Sequence, residues 1–199
     1  MGNVSIFLDF WNFTLNLRNL DPEFRPDWFR IADVFIEEAQ SVIACDEKLT
    51  LQDFNIFGSY SNTPGDMKLH NWAMTFLPKV NGAKVKFYER KKKKFGPRCP
   101  VCHEHIEICP QCHESMIGTE EKGIDTLIAI TMLQDAWMKK YDVAIIVSAD
   151  RDFIPAVEFL RDTHGLKTIH AQFGNNGAEL TKSCWGRFNI LNVLDRIRK

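Results

Sequence analysis

The 199-residue sequence lacks any apolar run near the ~18 residues that a membrane span needs, so no membrane-spanning segment is expected. It has no excess of either charge. Its 25 Lys and Arg stand against 26 Asp and Glu, and a net charge of −1 gives no overall pull toward a polyanion. The opening stretch MGNVSIFLDFWNF has no basic segment ahead of its apolar residues, so a secretory leader is not expected. Gly2 and Ser5 satisfy a loose myristoylation pattern, but the residues around them read as a core strand rather than a free arm. Isolated cysteines are few. Cys45 and Cys184 read as ordinary buried thiols, and the other four of the six form two Cys-x-x-Cys pairs. In a chain without an export signal that pattern indicates metal in a reducing compartment, the cytoplasm, rather than disulfides.

A hydrophobic fraction of 45% and an aromatic fraction of 12% suit a compact soluble protein with one core and a small appendage. Short apolar runs alternate with helical patterns along the chain. VSIFLD (4–9), LQDFNIFGSY (51–60), AKVKFYE (83–89), DVAIIVSA (142–149) and KTIHAQF (167–173) read as strands. Helices are expected over 27–44, where Phe29, Ala32, Phe35, Ala39 and Val42 recur at helical spacing, and over 65–80, ending near Pro78. Further helices are expected over 120–140, 153–165 and 177–184, with the tail a brief strand or helix. This alternation predicts an α/β fold: a central, mainly parallel sheet with helices on both faces, in one domain spanning 1–199. The exception is 90–119, which is basic, then Cys-rich, without apolar periodicity, and reads as an insertion.

The insertion carries two signals. CPVCHEHIEICPQC places Cys99, Cys102, Cys109 and Cys112 as two thiolate pairs, each on a tight turn. Four soft ligands suit a tetrahedral structural Zn²⁺ and leave no open position for catalysis. His103, His105 and His113 stand by as substitute ligands or outer partners. Just before them Lys84, Lys86, Arg90, Lys91, Lys92, Lys93, Lys94 and Arg98 fall within fifteen residues, against one acid, Glu89. A local basic run in a near-neutral chain is a candidate phosphate-contact patch, although lysines also keep an exposed loop soluble.

The acids lie elsewhere. Asp9 ends the first strand, Asp150 and Asp152 follow the strand DVAIIV in SADRDF, and Asp125 sits in the first turn of a helix. Singly each has a plain role: Asp9 in a turn, Asp125 favouring the helix dipole, Asp152 capping the helix at 153. If the first and fourth strands are neighbours, Asp9 and Asp150 project into one crevice at the C-terminal ends of the strands, where α/β sheets bind ligands. Two carboxylates about 4 Å apart repel by about 4 kcal/mol at an effective dielectric of 20. A cluster of them therefore calls for cations, and hard oxygen ligands suit Mg²⁺ or Mn²⁺. Asn12 and Ser148 add short polar groups at the same strand ends.

These pieces in this order resemble the NYN domain family, a branch of the PIN-like nucleases. The matching segments are FLDFWN with Asp9 and Asn12, FGSY at 57–60, KGIDTLIAITML with Lys122, Gly123 and Asp125, and IIVSADRDFIPAV with Ser148, Asp150, Asp152 and Phe153. The resemblance implies a three-layer α/β/α sandwich and divalent-metal-dependent cleavage of RNA. It makes Asp9, Asp125, Asp150 and Asp152 ligands of metal or water, Asn12 a polar helper and Lys122 a phosphate contact. With Lys91 to Lys94 and Arg98 on the insertion, RNA is the expected partner; no membrane partner is expected, and the fold often pairs as a homodimer. Two departures stand out. Family members often carry a further acid about two turns into the KGID helix, where this chain has Thr131, and the Cys-rich insertion is not a general family feature. The first departure keeps a binding module with a degraded site in play. A DNA nuclease or a phosphatase would use the same acids, but a phosphatase leaves the insertion without a role.

Overall fold

The structure, a computed structural model, describes residues 2–44 and 48–199; the expectation for Cys45 therefore lies outside the described residues. Among the described residues the strands are β1 (Gly2–Asp9), β2 (Leu49–Tyr60), β3 (Ala83–Glu89), β4 (Lys91–Lys92), β5 (Thr119–Glu120), β6 (Val143–Val147), β7 (Lys167–Gln172) and β8 (Gly186–Asn189). The α-helices among them are α1 (Phe10–Leu20), α2 (Trp28–Ile43), α3 (Pro64–Phe76), α4 (Ile124–Trp137), α5 (Ile154–His164), α6 (Ala178–Ser183) and α7 (Leu194–Ile197). Six strands form one sheet in the order β3-β2-β1-β6-β7-β8, and every pairing in it is parallel. Both faces are covered, giving the expected α/β/α sandwich.

The strand sequences explain the two cores. In β6, Val143, Ile145 and Val147 face one layer and Ala144 and Ile146 the other. In β1, Val4, Ile6 and Leu8 face the first layer and Phe7 the second. A strand covered on both sides must be apolar at every position, which is why these runs do not alternate. Residues of α1, α2, α3 and α7 build the first core; α4, α5 and α6 build the second.

The chain leaves β1 for β2 and β3 on one side, then returns to place β6, β7 and β8 on the other. The order reverses between β1 and β6, so the strands ending in Asp9 and leading to Asp150 are neighbours, with Leu8 paired to Val147. That adjacency was the condition for the acidic crevice.

Four boundaries differ from the sequence reading. Helix α1 begins at Phe10 without any loop, because Asp9 is at once the end of β1 and the N-cap: its carboxylate accepts from the N–H groups of Trp11 and Asn12, both at 3.0 Å. Helix α4 starts at Ile124, not 120, because Gly123 takes a left-handed conformation (φ 84°) and Thr119–Glu120 pair with Lys91–Lys92. Helix α3 stops at Phe76, before a 3-10 turn containing Pro78. The tail holds both a strand, β8, and a short helix, α7.

Candidate active site

Asp9, Asp125, Asp150 and Asp152 arrive at the switch point from three directions. Asp9 is fixed by its cap hydrogen bonds. Asp150 caps a 3-10 turn, Arg151–Phe153, by accepting from the Asp152 N–H at 2.9 Å, so the capping role falls to Asp150 rather than Asp152. Asp152 is exposed within that turn. Asp125 lies in the first turn of α4. Burial pushes the Asp125 carboxyl above the ordinary carboxylate range, and the charges of Asp150 and Asp152 push it further. The Asp9 carboxyl is pushed up to about 6, mainly by burial, with Asp125 and Glu121 adding to it against the two cap N–H groups. Asp9 thus feels the charge of Asp125, and Asp125 that of Asp150 and Asp152.

Asn12 is a strut. Its Oδ1 accepts from the Ala149 N–H at 3.1 Å and from Asn16 Nδ2 at 3.2 Å, so it ties α1 to the loop that carries Asp150. Ser148 Oγ accepts from the Asp150 N–H at 3.2 Å and sets the same loop from within. Beneath it lies buried His170. The Ser148 carbonyl can only accept, so His170 Nε2 donates to it at 2.8 Å, while Nδ1 meets Thr181 Oγ1 at 2.7 Å. Burial lowers the His170 pKa, which keeps the ring a neutral brace. Beside the loop is an open cleft of about 570 Å³, lined by Asn12, Asp150 and Glu179 among others. Gly177 forms its edge at φ 76°, and a Cβ there would stand 2.9 Å from Ala149 Cα.

Sequence reading missed a neighbouring group. Glu121 accepts from Ser59 Oγ and pairs with Arg90 at 3.4 Å. Arg90 in turn donates to Ser59 Oγ at 2.8 Å and lies over the Trp11 ring at 5.1 Å, and Trp11 Nε1 donates to the Ser59 carbonyl at 2.7 Å. Glu121 is pushed above its usual range, by burial first and by Asp125, against the pull of Arg90. Its signal was present in EEKGID, but a charged residue before a helix reads as solvated surface. Trp11 is committed to this network, and Phe10 and Phe13 are buried in the core, so these aromatics pack.

Thr131 faces the interior of α4 and donates to the Leu127 carbonyl at 2.7 Å. It is satisfied by its own helix and offers nothing to the acids. Lys122 stands on the rim, 75% exposed, 2.9 Å from Glu120.

The stretch between β3 and α4 is joined to the sheet by a two-stranded neck in which Lys91 pairs with Glu120 and Lys92 with Thr119. The neck begins at Arg90, so the stretch emerges beside the acids. Lys91, Lys92, Lys93, Lys94 and Arg98 are all exposed; Arg98 Nε also donates to the His103 carbonyl at 2.7 Å. Beyond the neck two turns repeat one another. The Cys99 and Cys109 N–H groups bond the Glu104 and Glu114 carbonyls, both at 2.8 Å, and His103 and His113 take positive φ at matching places. Backbone N–H groups of Cys102 and Val101 hold the Cys99 thiol below its ordinary pKa, and those of Cys112 and Gln111 do the same for Cys109. None of the four is in a disulfide. Cys184, by contrast, packs against the second core, and burial pushes its thiol up to about 12.

Among the described residues, no three His, Cys, Asp or Glu side chains stand close enough together, as they lie, to hold a metal ion. The donor chemistry nevertheless fits. The carboxylates are hard oxygen donors, and neighbouring charge adds to burial in raising the pKa of Asp9 and Asp125, a burden that a divalent cation offsets. The two turns present thiols already biased toward thiolate. Also among the described residues, no helix is long and apolar enough to cross a membrane.

Comparisons with known proteins agree with this geometry. No curated protein matches the chain. A crystal structure of a protein of unknown function from Vibrio parahaemolyticus is similar in fold, with a TM-score of 0.57 at 17% identity over 95% of this chain and 93% of that one. The model of the NYN domain matches residues 3–191, from β1 to the turn after β8 and through every acid described above. The chain belongs to the NYN domain family, whose domains are generally nuclease-like.

Proposed function

We propose that the protein is a divalent-metal-dependent endoribonuclease that hydrolyses RNA phosphodiester bonds at Asp9, Asp125, Asp150 and Asp152. One observation carries the reading: carboxylates from three separate segments lie around the switch point of a parallel sheet, where burial, and after it neighbouring carboxylate charge, raises the pKa of Asp9 and Asp125. Like charges in a half-buried crevice cost stability unless a cation offsets them.

The four acids would hold Mg²⁺ or Mn²⁺. Such an ion, when bound, supplies a more acidic water and positive charge for the phosphoryl oxygens. The chain's own residues do the positioning. Asn12 and Ser148 keep the Asp150 loop against α1, and the Arg151–Phe153 turn holds Asp152 forward. Arg90 and Lys122 set positive charge on the rim, where a phosphodiester would approach. Lys91, Lys92, Lys93, Lys94 and Arg98 extend that charge along the insertion 90–119, whose Cys99, Cys102, Cys109 and Cys112 would close on a structural Zn²⁺ and stiffen the arm against the RNA backbone. With no base-reading element in view, recognition would rest on shape, ends or single-strandedness. A second reading, an RNA-binding module with a degraded site, draws on Thr131, whose hydroxyl is spent on its own helix at the position where the family resemblance implies an acid in many members.

A cleavage panel separates the two. End-labelled single- and double-stranded RNA and DNA are incubated in Mg²⁺, Mn²⁺ or chelator with the parent protein and Asp150→Asn. Metal-dependent cutting of RNA that Asp150→Asn abolishes supports the nuclease. RNA that is bound but uncut under every condition makes the protein a binding module.

A further inference from the structure

On the face of the sheet away from α4, a groove of about 580 Å³ lies between α1, α2 and α3. Helix α1 lines it with Phe10, Thr14, Leu17 and Arg18, which share one helical face. The Thr14 hydroxyl is spent on the Phe10 carbonyl at 2.6 Å, so the free donor on this wall is Arg18. The groove is aromatic on several sides. Phe10 and Trp28, both buried, stack on each other beneath it (5.8 Å, 11° between planes), Trp72 stacks on Phe76 (5.3 Å, 17°), and Trp28 meets Trp72 edge-on at 6.1 Å. Phe29 is 51% and Trp72 37% exposed, a large ring surface for a folded chain to leave open.

The rim is basic. Arg18, Arg25 and Lys199 line the groove, and among the described residues none of their side chains has an ion-pair or hydrogen-bond partner. Among the described residues the lining has one acidic side chain, Asp27, which is engaged as the N-cap of α2, accepting from the Phe29 N–H at 3.2 Å. Flat aromatic faces beside uncommitted cations are the chemistry that takes a nucleobase and its phosphate.

We propose that this groove holds an unpaired nucleotide of the RNA strand being cut at the Asp9 cluster, an inference that rests on the ribonuclease reading. Helix α1 links the two places. Asp9 caps its N-terminus, and Leu17 lies eight residues on, roughly 12 Å along the axis at 1.5 Å per residue. A base held in a duplex cannot stack on these rings, so the groove selects single-stranded RNA that continues past the cleavage point.

The test uses full-length protein carrying Asp150→Asn, so that binding is read without cleavage. Adenosine 5′-monophosphate, a single-stranded RNA decamer and the matching duplex are titrated, following tryptophan fluorescence, since Trp28 and Trp72 line the groove. The mononucleotide should quench saturably, and Trp72→Ala should remove that response and weaken decamer binding about tenfold. Arg18→Gln with Arg25→Gln should flatten the salt slope of decamer binding by about 1.4, at ~0.7 per phosphate contact. Duplex binding should respond to neither change. Phe29→Ala replaces Trp72→Ala if that variant fails to fold. Decamer affinity and slope equal to the parent's in all variants would overturn the groove and leave the ribonuclease reading standing. Quenching by the mononucleotide that needs Trp72, in a protein that binds no RNA, would overturn the proposal together with the ribonuclease reading and make the groove a mononucleotide site instead. A dimer in sedimentation that Trp72→Ala dissolves, with no response to nucleotide, would give the groove to a second copy and overturn the proposal.

Discussion

The charge on Asp9 should be a measurable burden in the absence of a divalent cation, and Asp9→Asn isolates it. An asparagine Oδ1 can accept the Trp11 and Asn12 N–H groups as the carboxylate does, so the α1 cap survives and only the charge is lost. The Asp9 carboxyl rises from 3.8 to about 6, chiefly through burial. At 1.36 kcal/mol per unit, that is about 3 kcal/mol. The sign follows from linkage. A carboxyl whose folded pKa is raised binds its proton more tightly folded than unfolded, so the parent gains stability as pH falls through 6 and the gain is complete below 3.8. Above pH 6 the ionised group costs the full amount. In buffer freed of Mg²⁺ and Mn²⁺, Asp9→Asn should therefore be up to about 3 kcal/mol more stable than the parent at pH 7.5, with the advantage shrinking through pH 6 and gone near pH 4. Asp21, Asp66 and Asp162, held below the usual range by their partners, lose stability in acid, but equally in both proteins. Urea denaturation across the pH range measures the difference directly. Parallel curves with a constant offset would refute the reasoning, because they would mean that Asp9 ionises as freely folded as unfolded.

Three further outcomes follow from other parts of the molecule. Replacing Lys91, Lys92, Lys93 and Lys94 by Ala should weaken RNA binding and flatten its salt dependence by up to about 3, at ~0.7 per phosphate contact on a single strand; an unchanged slope would make the run solvated surface. Cys99→Ser should lower the zinc content of purified protein and loosen 90–119, seen as faster amide exchange there with the sheet unaffected; zinc-free parent protein with full protection in that stretch would remove the structural ion. Gly177→Ala should cost about 2 kcal/mol in denaturation and slow cleavage, because its Cβ would press on Ala149 beside Asp150. Gly174→Ala, also at positive φ but 3.5 Å from a Leu191 side chain, should cost the backbone strain while sparing cleavage.

What was legible in the sequence was legible for local reasons. Strands buried on both faces read as unbroken apolar runs, so β6 stood out in DVAIIV, and acids at strand ends drew the eye because the sheet's polarity sends every strand's C-terminus to one edge. Helix α1 was not legible, since no loop separates it from β1 and its cap is also the first candidate acid. The braces of the site were hidden for the opposite reason. Asn12 meets Ala149 across 137 residues, and His170 props Ser148 across 22; such pairings are decided by topology, which a local pattern cannot display.

Thr131 and Glu121 show how this matters for function. Counting along the KGID helix makes Thr131 the missing acid and suggests a weakened site. In the fold, Thr131 lies on the stripe of α4 that packs inward, with Ile128, Met132 and Asp135. One turn further, Asp135 is buried, and it is held by Lys140 at 2.6 Å. An acid on this face needs such a partner, and a hydroxyl bonded to its own helix does not. Meanwhile Glu121, just before the same helix, comes close enough to raise the pKa of Asp9 and is steadied by Arg90 and Ser59. Negative charge beside Asp9 therefore comes also from Glu121, next to the neck of the insertion, while Thr131 adds none. Were Arg90 drawn away, Glu121 would lose the cation that lowers its pKa and would take up a proton more readily, so the charge at this edge of the crevice depends on the Arg90 pair.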